Sequence, residues 1–178
     1  MSAPSREAVT PTAFRHVMAH LPTGVTVVAA AAGDERHGMT ANTVTSVSLD
    51  PVLLLACLVR GSRTSRAVQE SGAFSVNVLR YDQEELSRRF SRPGADHFDG
   101  IGVELGARGL PRLPGCLAFL TCRVVQMFAA GDHDVVVGEV ETCEAREGEP
   151  LVFFQGAYGR LACDLDGGRA VNGRASRR

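Results

Sequence analysis

The sequence predicts a mainly β domain, a closed or partly closed antiparallel barrel with a few flanking helices. Apolar, β-branched runs of strand length outnumber segments with helical spacing. Residues 116–129 and 134–143 flank the tight turn Ala130-Gly131-Asp132-His133, which makes a long hairpin and so an antiparallel pair. No regular strand-helix-strand alternation supports a parallel sheet.

The elements follow in order. Residues 1–10 are polar and expected to be flexible. Thr10-Pro11-Thr12 opens a helix with a hydroxyl cap and Pro near the first turn. Phe14, Val17, Met18 and Leu21 have helical spacing, and Pro22 ends the helix. Residues 25–30 form a strand by their β-branched content, and 31–36 a turn around Gly33-Asp34. Residues 38–47 read as an extended segment with a bulge or bend, broken by Asp50-Pro51. The continuous apolar run 52–58 fits one buried strand.

Residues 60–65 form a loop leading into a helix over 65–70. Residues 74–79 alternate as a strand, and 82–90 form a short helix. Residues 91–109 are long, irregular and rich in Gly and charge, as functional or flexible loops are. After the hairpin come a charged turn at 144–149 and a last short strand at 151–154. Residues 167–178 are Gly, Arg and Ser without an apolar pattern, a disordered tail. The folded domain is therefore expected at 11–166.

The totals exclude several functions. A chain of 178 residues with 44% apolar content makes one domain with a real core. A net charge of -1 provides no basic field for nucleic acid. All nineteen cationic residues are Arg, which removes Schiff-base, pyridoxal-phosphate and P-loop lysines together. Cysteines stand at 57, 116, 122, 143 and 163, an odd number without Cys-x-x-Cys spacing. Four lie in apolar or alternating runs, as buried free thiols do, and a reducing cytoplasm fits them. The first nine residues lack an apolar signal core. No run approaches the ~20 residues that span a bilayer, so no membrane partner is expected.

One stretch is unusual. From Gly38 to Leu49 there is no charge, yet Thr40, Asn42, Thr43, Thr45, Ser46 and Ser48 stand between two apolar runs. A flavin ring asks for donors at N1, O2, O4 and N5 and an acceptor at N3. Hydroxyls, amides and backbone groups supply these without formal charge. The same composition also fits a hydroxyl-rich edge strand facing water. Ser62-Arg63-Thr64-Ser65 at a helix start is either an anion site or an ordinary cap. His133, between Asp132 and Asp134, reads as a base, a metal ligand or an exposed turn residue. No nucleophile is identified for it, and no metal spacing links it to Asp96, His97 and Asp99. The glycines of 100–106 fail as a dinucleotide loop, having no strand before and no helix after. Phe154 and Tyr158 could stack on a cofactor or plug the end of the barrel.

Several motifs occur in a telling order: Leu21-Pro22-Thr23-Gly24-Val25, Gly38-Met39-Thr40-Ala41-Asn42, Thr45-Ser46-Val47-Ser48-Leu49-Asp50-Pro51 and Ser62-Arg63-Thr64. Then follow Phe74-Ser75-Val76-Asn77-Val78-Leu79, Gly131-Asp132-His133 and Gly156-Ala157-Tyr158-Gly159. On these the chain, from about Phe14 to Leu161, resembles the short-chain flavin reductases that supply reduced flavin to two-component monooxygenases.

The resemblance implies an FMN-binding antiparallel split β-barrel, generally a homodimer. It implies NAD(P)H-dependent hydride transfer to FMN or FAD, with a separate monooxygenase as partner. Thr40, Ala41 and Asn42, with Ser46 and Val47, would line the isoalloxazine and ribityl chain. Ala56, Cys57 and Leu58 would back the ring, and Ser62, Arg63 and Thr64 would take the phosphate. Phe90 and Ser91 would close part of the site. His133 would lie by the nicotinamide as the catalytic residue, with Phe154 and Tyr158 nearby. Asp50-Pro51-Val52 departs from the two prolines of many relatives and should leave the site intact. No basic cluster awaits a 2′-phosphate, which favours NADH over NADPH. Because both reacting atoms belong to nucleotides, such a site needs neither nucleophile nor strong base. The rival reading is a flavin-binding electron carrier or sensor without a nicotinamide site. A third is a direct oxidase or reductase acting through bound flavin.

Overall fold

The structure is a computed structural model that describes residues 8–94 and 96–161. The expected flexible N-terminus lies outside the described residues up to position 7, and the tail at 167–178 lies outside them entirely.

Helix α1 (Pro11–Met18) starts at Thr10, whose side chain accepts the Ala13 N–H at 3.2 Å. Then come β1 (Thr23–Gly24), β2 (Thr26–Ala32) and β3 (Glu35–Ala41), the last two joined at Gly33 with φ +60. Strands β4 (Val44–Leu49) and β5 (Val52–Val59) flank the turn at Asp50-Pro51. Helix α2 (Arg63–Ser71) and strand β6 (Ala73–Val78) follow. A short 3-10 turn at Tyr81–Gln83 leads into α3 (Glu84–Phe90). Within the long irregular segment, β7 (Glu104–Leu105) pairs with β8 (Pro111–Arg112). The long hairpin is β9 (Ala118–Ala130) and β10 (His133–Ala145), and the chain closes with β11 (Leu151–Phe154) and β12 (Ala157–Arg160).

Seven strands form one antiparallel sheet in the order β3-β2-β6-β9-β10-β5-β4. The uncharged stretch 38–49 therefore occupies both edges of this sheet. Its first half lies in β3 at one edge and its second half is β4 at the other. The bend at Asn42-Thr43 carries the chain across, and the Cys57 N–H donates to the Thr43 carbonyl there at 3.1 Å. A sheet whose edges are tied by one short bend must curl, which gives the split barrel.

Side chains from alternate strand positions fill the interior, among them Val28, Leu54, Leu58, Phe74, Val76 and Val136. Ala67 and Val68 of α2 close one end. A Cβ at Gly138 would come within 2.6 Å of the Phe74 ring, so the largest interior side chain packs against bare backbone. A second cluster lies on the other side of β2, from Val25, Val27, Ala29, Leu79, Phe90 and Phe98 with Leu113 and Leu151. Burial on both faces explains why 25–30 reads as a continuous apolar run. The 104–113 strap is pinned by buried polar groups. Asn77 Oδ1 accepts the Leu113 N–H at 2.8 Å, and Ser75 Oγ donates to the Pro111 carbonyl at 2.7 Å.

Some expectations need correction. Helix α2 starts at Arg63 and not at 65, because Ser62 Oγ accepts the Ser65 N–H at 3.1 Å and so caps it. Strands β1 and β12 pair with β11 in a small second sheet, and they are too short to leave a periodic signal. His133 is the first residue of β10, leaving Gly131-Asp132 as the turn. The described cysteines are free. Cys116 and Cys122 are buried and Cys57 is half-buried, but Cys143 is exposed, in a stretch of β10 that lies beyond the core.

Candidate active site

A groove of about 970 Å³ opens along β3, between the start of α2 and the end of α3 with the loop after it. Its size is within the range of small-molecule sites. Each wall has a local cause. As the sheet edge, β3 leaves one side of its backbone without a partner strand. Gly38 lets the far wall approach, since a Cβ there would meet Phe90 Cε1 at 2.9 Å and Phe98 Cζ at 3.1 Å. Phe90 and Phe98 stack edge to face at 5.0 Å and hold α3 against β3. His97 ties the loop down, with Nδ1 at 3.0 Å from the Gly38 carbonyl and Nε2 at 2.7 Å from that of Arg92.

Of the residues implied by the resemblance, Thr40, Ser62, Arg63, Thr64, Phe90 and Ser91 line this groove. Arg63 and Thr64 open α2, so their amides point ahead of the helix without an intrahelical partner. Ser62 keeps its hydroxyl proton free of the cap, its nearest acceptor being Met39 Sδ at 3.9 Å. Arg36 and Arg92 add cations to the rim, beside Glu35 and Asp96.

The other expected residues lie elsewhere. Ala41 is buried in the barrel, and Asn42, Ser46 and Val47 are exposed on the bend and on β4. Ala56 and Leu58 are fully buried and point inward, so only Cys57 of that trio faces outward. His133 stands opposite Val59, itself a groove residue. Its Nδ1–H donates to Asp132 Oδ1 at 2.8 Å, and that bond holds the Asp132 carboxyl below the usual carboxylate range. Asp134 turns the other way and accepts from Ser65 Oγ at 2.6 Å, fixing the hairpin to α2. Phe154 is exposed at the end of β11. Tyr158 packs on Phe153 behind α3, with the Arg88 guanidinium 5.0 Å from its ring centre.

Sequence reasoning missed Ser87. This fully buried residue accepts from Thr40 Oγ1 at 2.6 Å and from the Ser91 N–H at 3.1 Å through its carbonyl, and its Oγ lies 2.8 Å from the Tyr158 hydroxyl. Its only signal was a small polar residue on the apolar side of the 82–90 helix. His97 and Phe98 were also missed as groove walls, because the segment holding them has no periodicity. Among the described residues, no three His, Cys, Asp or Glu side chains gather as metal ligands.

Residues 18–162 match the model of the flavin reductase like domain. The chain belongs to this family. It is 42% identical over 149 residues to the NADH-dependent FMN reductase of Agrobacterium fabrum, covering 84% of this chain and 85% of that one. It is 42% identical over 151 residues to the reductase component of 4-hydroxyphenylacetate 3-monooxygenase from Thermus thermophilus, covering 84% and 95%. In structure it superposes on the NADH:FAD oxidoreductase of Streptomyces globisporus in complex with NAD and FAD fragments. The TM-score is 0.83 with 37% identity, over 90% of this chain and 99% of that one. The split barrel is thus the family's fold as well as this chain's.

Proposed function

We propose that this family member is an NAD(P)H:flavin reductase, taking hydride from a reduced nicotinamide and releasing reduced FMN or FAD to a separate monooxygenase. The observation that carries the reading is the groove itself. Its hydroxyls and helix-start amides lie along an open strand edge, in a chain whose relatives are named NADH-dependent flavin reductases. The residues present fit a flavin. Thr40 and the β3 edge offer hydrogen bonds without formal charge, and Arg63 with the α2 amides suits a phosphate.

When bound, the two nucleotides supply the hydride chemistry between them. The chain's residues position and screen. Ser62, Arg63 and Thr64 would anchor the phosphate end, Thr40 would border the ring, and Phe90 with Phe98 would keep water from the far wall. His133, held by Asp132 and paired across the sheet with the groove residue Val59, would orient the nicotinamide. Uncharged contacts give moderate affinity, which a flavin that leaves after reduction requires. NADH is the expected donor, and the free thiols fit a reducing cytoplasm. No helix among the described residues is long and apolar enough to cross a membrane. A homodimer is supported by the uncovered apolar face of α1.

The test is direct. Protein mixed with NADH and free FMN or FAD should consume the nicotinamide absorbance far faster than the blank. No oxidation above the blank with either flavin and either nicotinamide would overturn the reading. A protein that holds flavin through desalting and is not bleached by NAD(P)H would instead be the electron carrier or sensor.

A further inference from the structure

We infer that Thr40 recognises its ligand purely as a hydrogen-bond acceptor, and that Ser87 is the positioning residue that imposes this polarity. The inference rests on the flavin reading of the groove and specifies which atoms of the flavin can lie there.

A threonine hydroxyl has one proton and two lone pairs, and a free one turns to suit its partner. Thr40 is not free. Its Oγ1 donates at 2.6 Å to the backbone carbonyl of Ser87, and a carbonyl can only accept. That carbonyl cannot turn away. Ser87 is fully buried in α3, its carbonyl also takes the Ser91 N–H at 3.1 Å, and its side chain meets the Tyr158 hydroxyl at 2.8 Å. Rotating the Thr40 hydroxyl toward the groove would give up its 2.6 Å bond and leave the buried carbonyl the Ser91 N–H alone. Thr40 therefore shows the groove only lone pairs, and what faces it must bring an N–H or O–H.

This excludes a phosphate at Thr40, since its oxygens accept. The phosphate end belongs at the start of α2, where amides and Arg63 donate. A flavin carries donor hydrogens in two places, the imide N3–H of the ring and the ribityl hydroxyls. Either meets the demand, and the two are separable by chemistry.

The experiment titrates wild type, Thr40→Val and Thr40→Ser with FMN and with N3-methyl-FMN, reading flavin fluorescence, and checks each fold by its circular dichroism melt. Thr40→Val keeps the shape and loses the acceptor together with the donation to Ser87, whose own cost the melt reads, so FMN should bind about tenfold more weakly. Thr40→Ser keeps the hydroxyl and should bind close to wild type. If wild type and Thr40→Val bind N3-methyl-FMN equally, the donor is the imide N3–H. If Thr40→Val stays tenfold weaker with the methylated flavin, the donor is a ribityl hydroxyl. Unchanged FMN binding by Thr40→Val overturns the inference, as does Thr40→Ser binding as poorly as Thr40→Val, which would mean lost packing. Thr40→Ala replaces Thr40→Val should the latter not fold. A wild-type protein that binds no flavin at all would overturn the flavin reading and this inference with it.

Discussion

Thr40, Ser91 and Tyr158 are far apart in the chain, yet each bonds to Ser87. At this scale the site is a set of fixed orientations, and single substitutions test them. Gly38→Ala puts a methyl 2.9 Å from the Phe90 ring, so the ring must move and the α3 wall with it. A loss of about 1–3 kcal/mol in stability, read by urea titration, is the expected cost of overpacking there. His133→Ala should slow nicotinamide-dependent reduction while leaving flavin affinity nearly unchanged. An equal loss of flavin binding would place His133 in the flavin site instead. Burial pushes the Cys122 thiol up to about 12, because the charged thiolate is disfavoured away from water. Cys122 is then a neutral thiol at pH 8. Iodoacetamide should modify exposed Cys143 in the native protein and reach Cys122 only on unfolding, as a peptide mass map would show.

At the scale of elements, the groove depends on how the strap and the edge strands are tied. Arg108 meets both carboxylate oxygens of Glu141 at 2.6 Å, lashing the strap to β10, and this hydrogen bond holds the Glu141 carboxyl below its ordinary 4.5. A carboxyl whose folded value is depressed stabilises above its unfolded value and loses that contribution as pH falls through the folded one. The protection of the amides at 104–110, measured against their intrinsic exchange rate at each pH, should therefore fall as the pH drops below the ordinary carboxylate range. In Arg108→Ala the same amides should exchange fast at neutral pH and respond less to acid. The long elements were legible because each carries its own period. The hairpin, β2, β5 and β6 announce themselves by β-branched runs, and α1 by its cap and spacing. The strap was not legible. Its strands are two residues each, and what orders it is a pair of buried side chains, Ser75 and Asn77, from a strand some thirty residues earlier. Ser87 escaped notice for the same reason, since its partners come from β3 and β12.

At the scale of the whole molecule, the ordered motifs pointed to the fold and to the β3 and α2 sides of the groove, while side-chain direction decided the rest. Ala56 and Leu58 were read as backing a ring, but strand alternation turns them into the barrel. The remaining question at this scale is what covers α1. Helices of eight residues are not stable alone in water and hold by packing an apolar face. Phe14, Val17 and Met18 form such a face with Leu21 after it, yet they are 58%, 66%, 44% and 57% exposed, and no residue of α1 is buried. Among the described residues nothing covers this face, and the proposed homodimer offers a second copy to do so. Hydrophobic association then predicts a particle of twice 18.9 kDa by light scattering at micromolar concentration. Phe14→Glu places a charge on the face without touching the barrel, so it should yield a folded monomer with an unchanged core melt. A wild-type particle of 18.9 kDa, or a Phe14→Glu protein still at twice that mass, would rule out α1 as the contact.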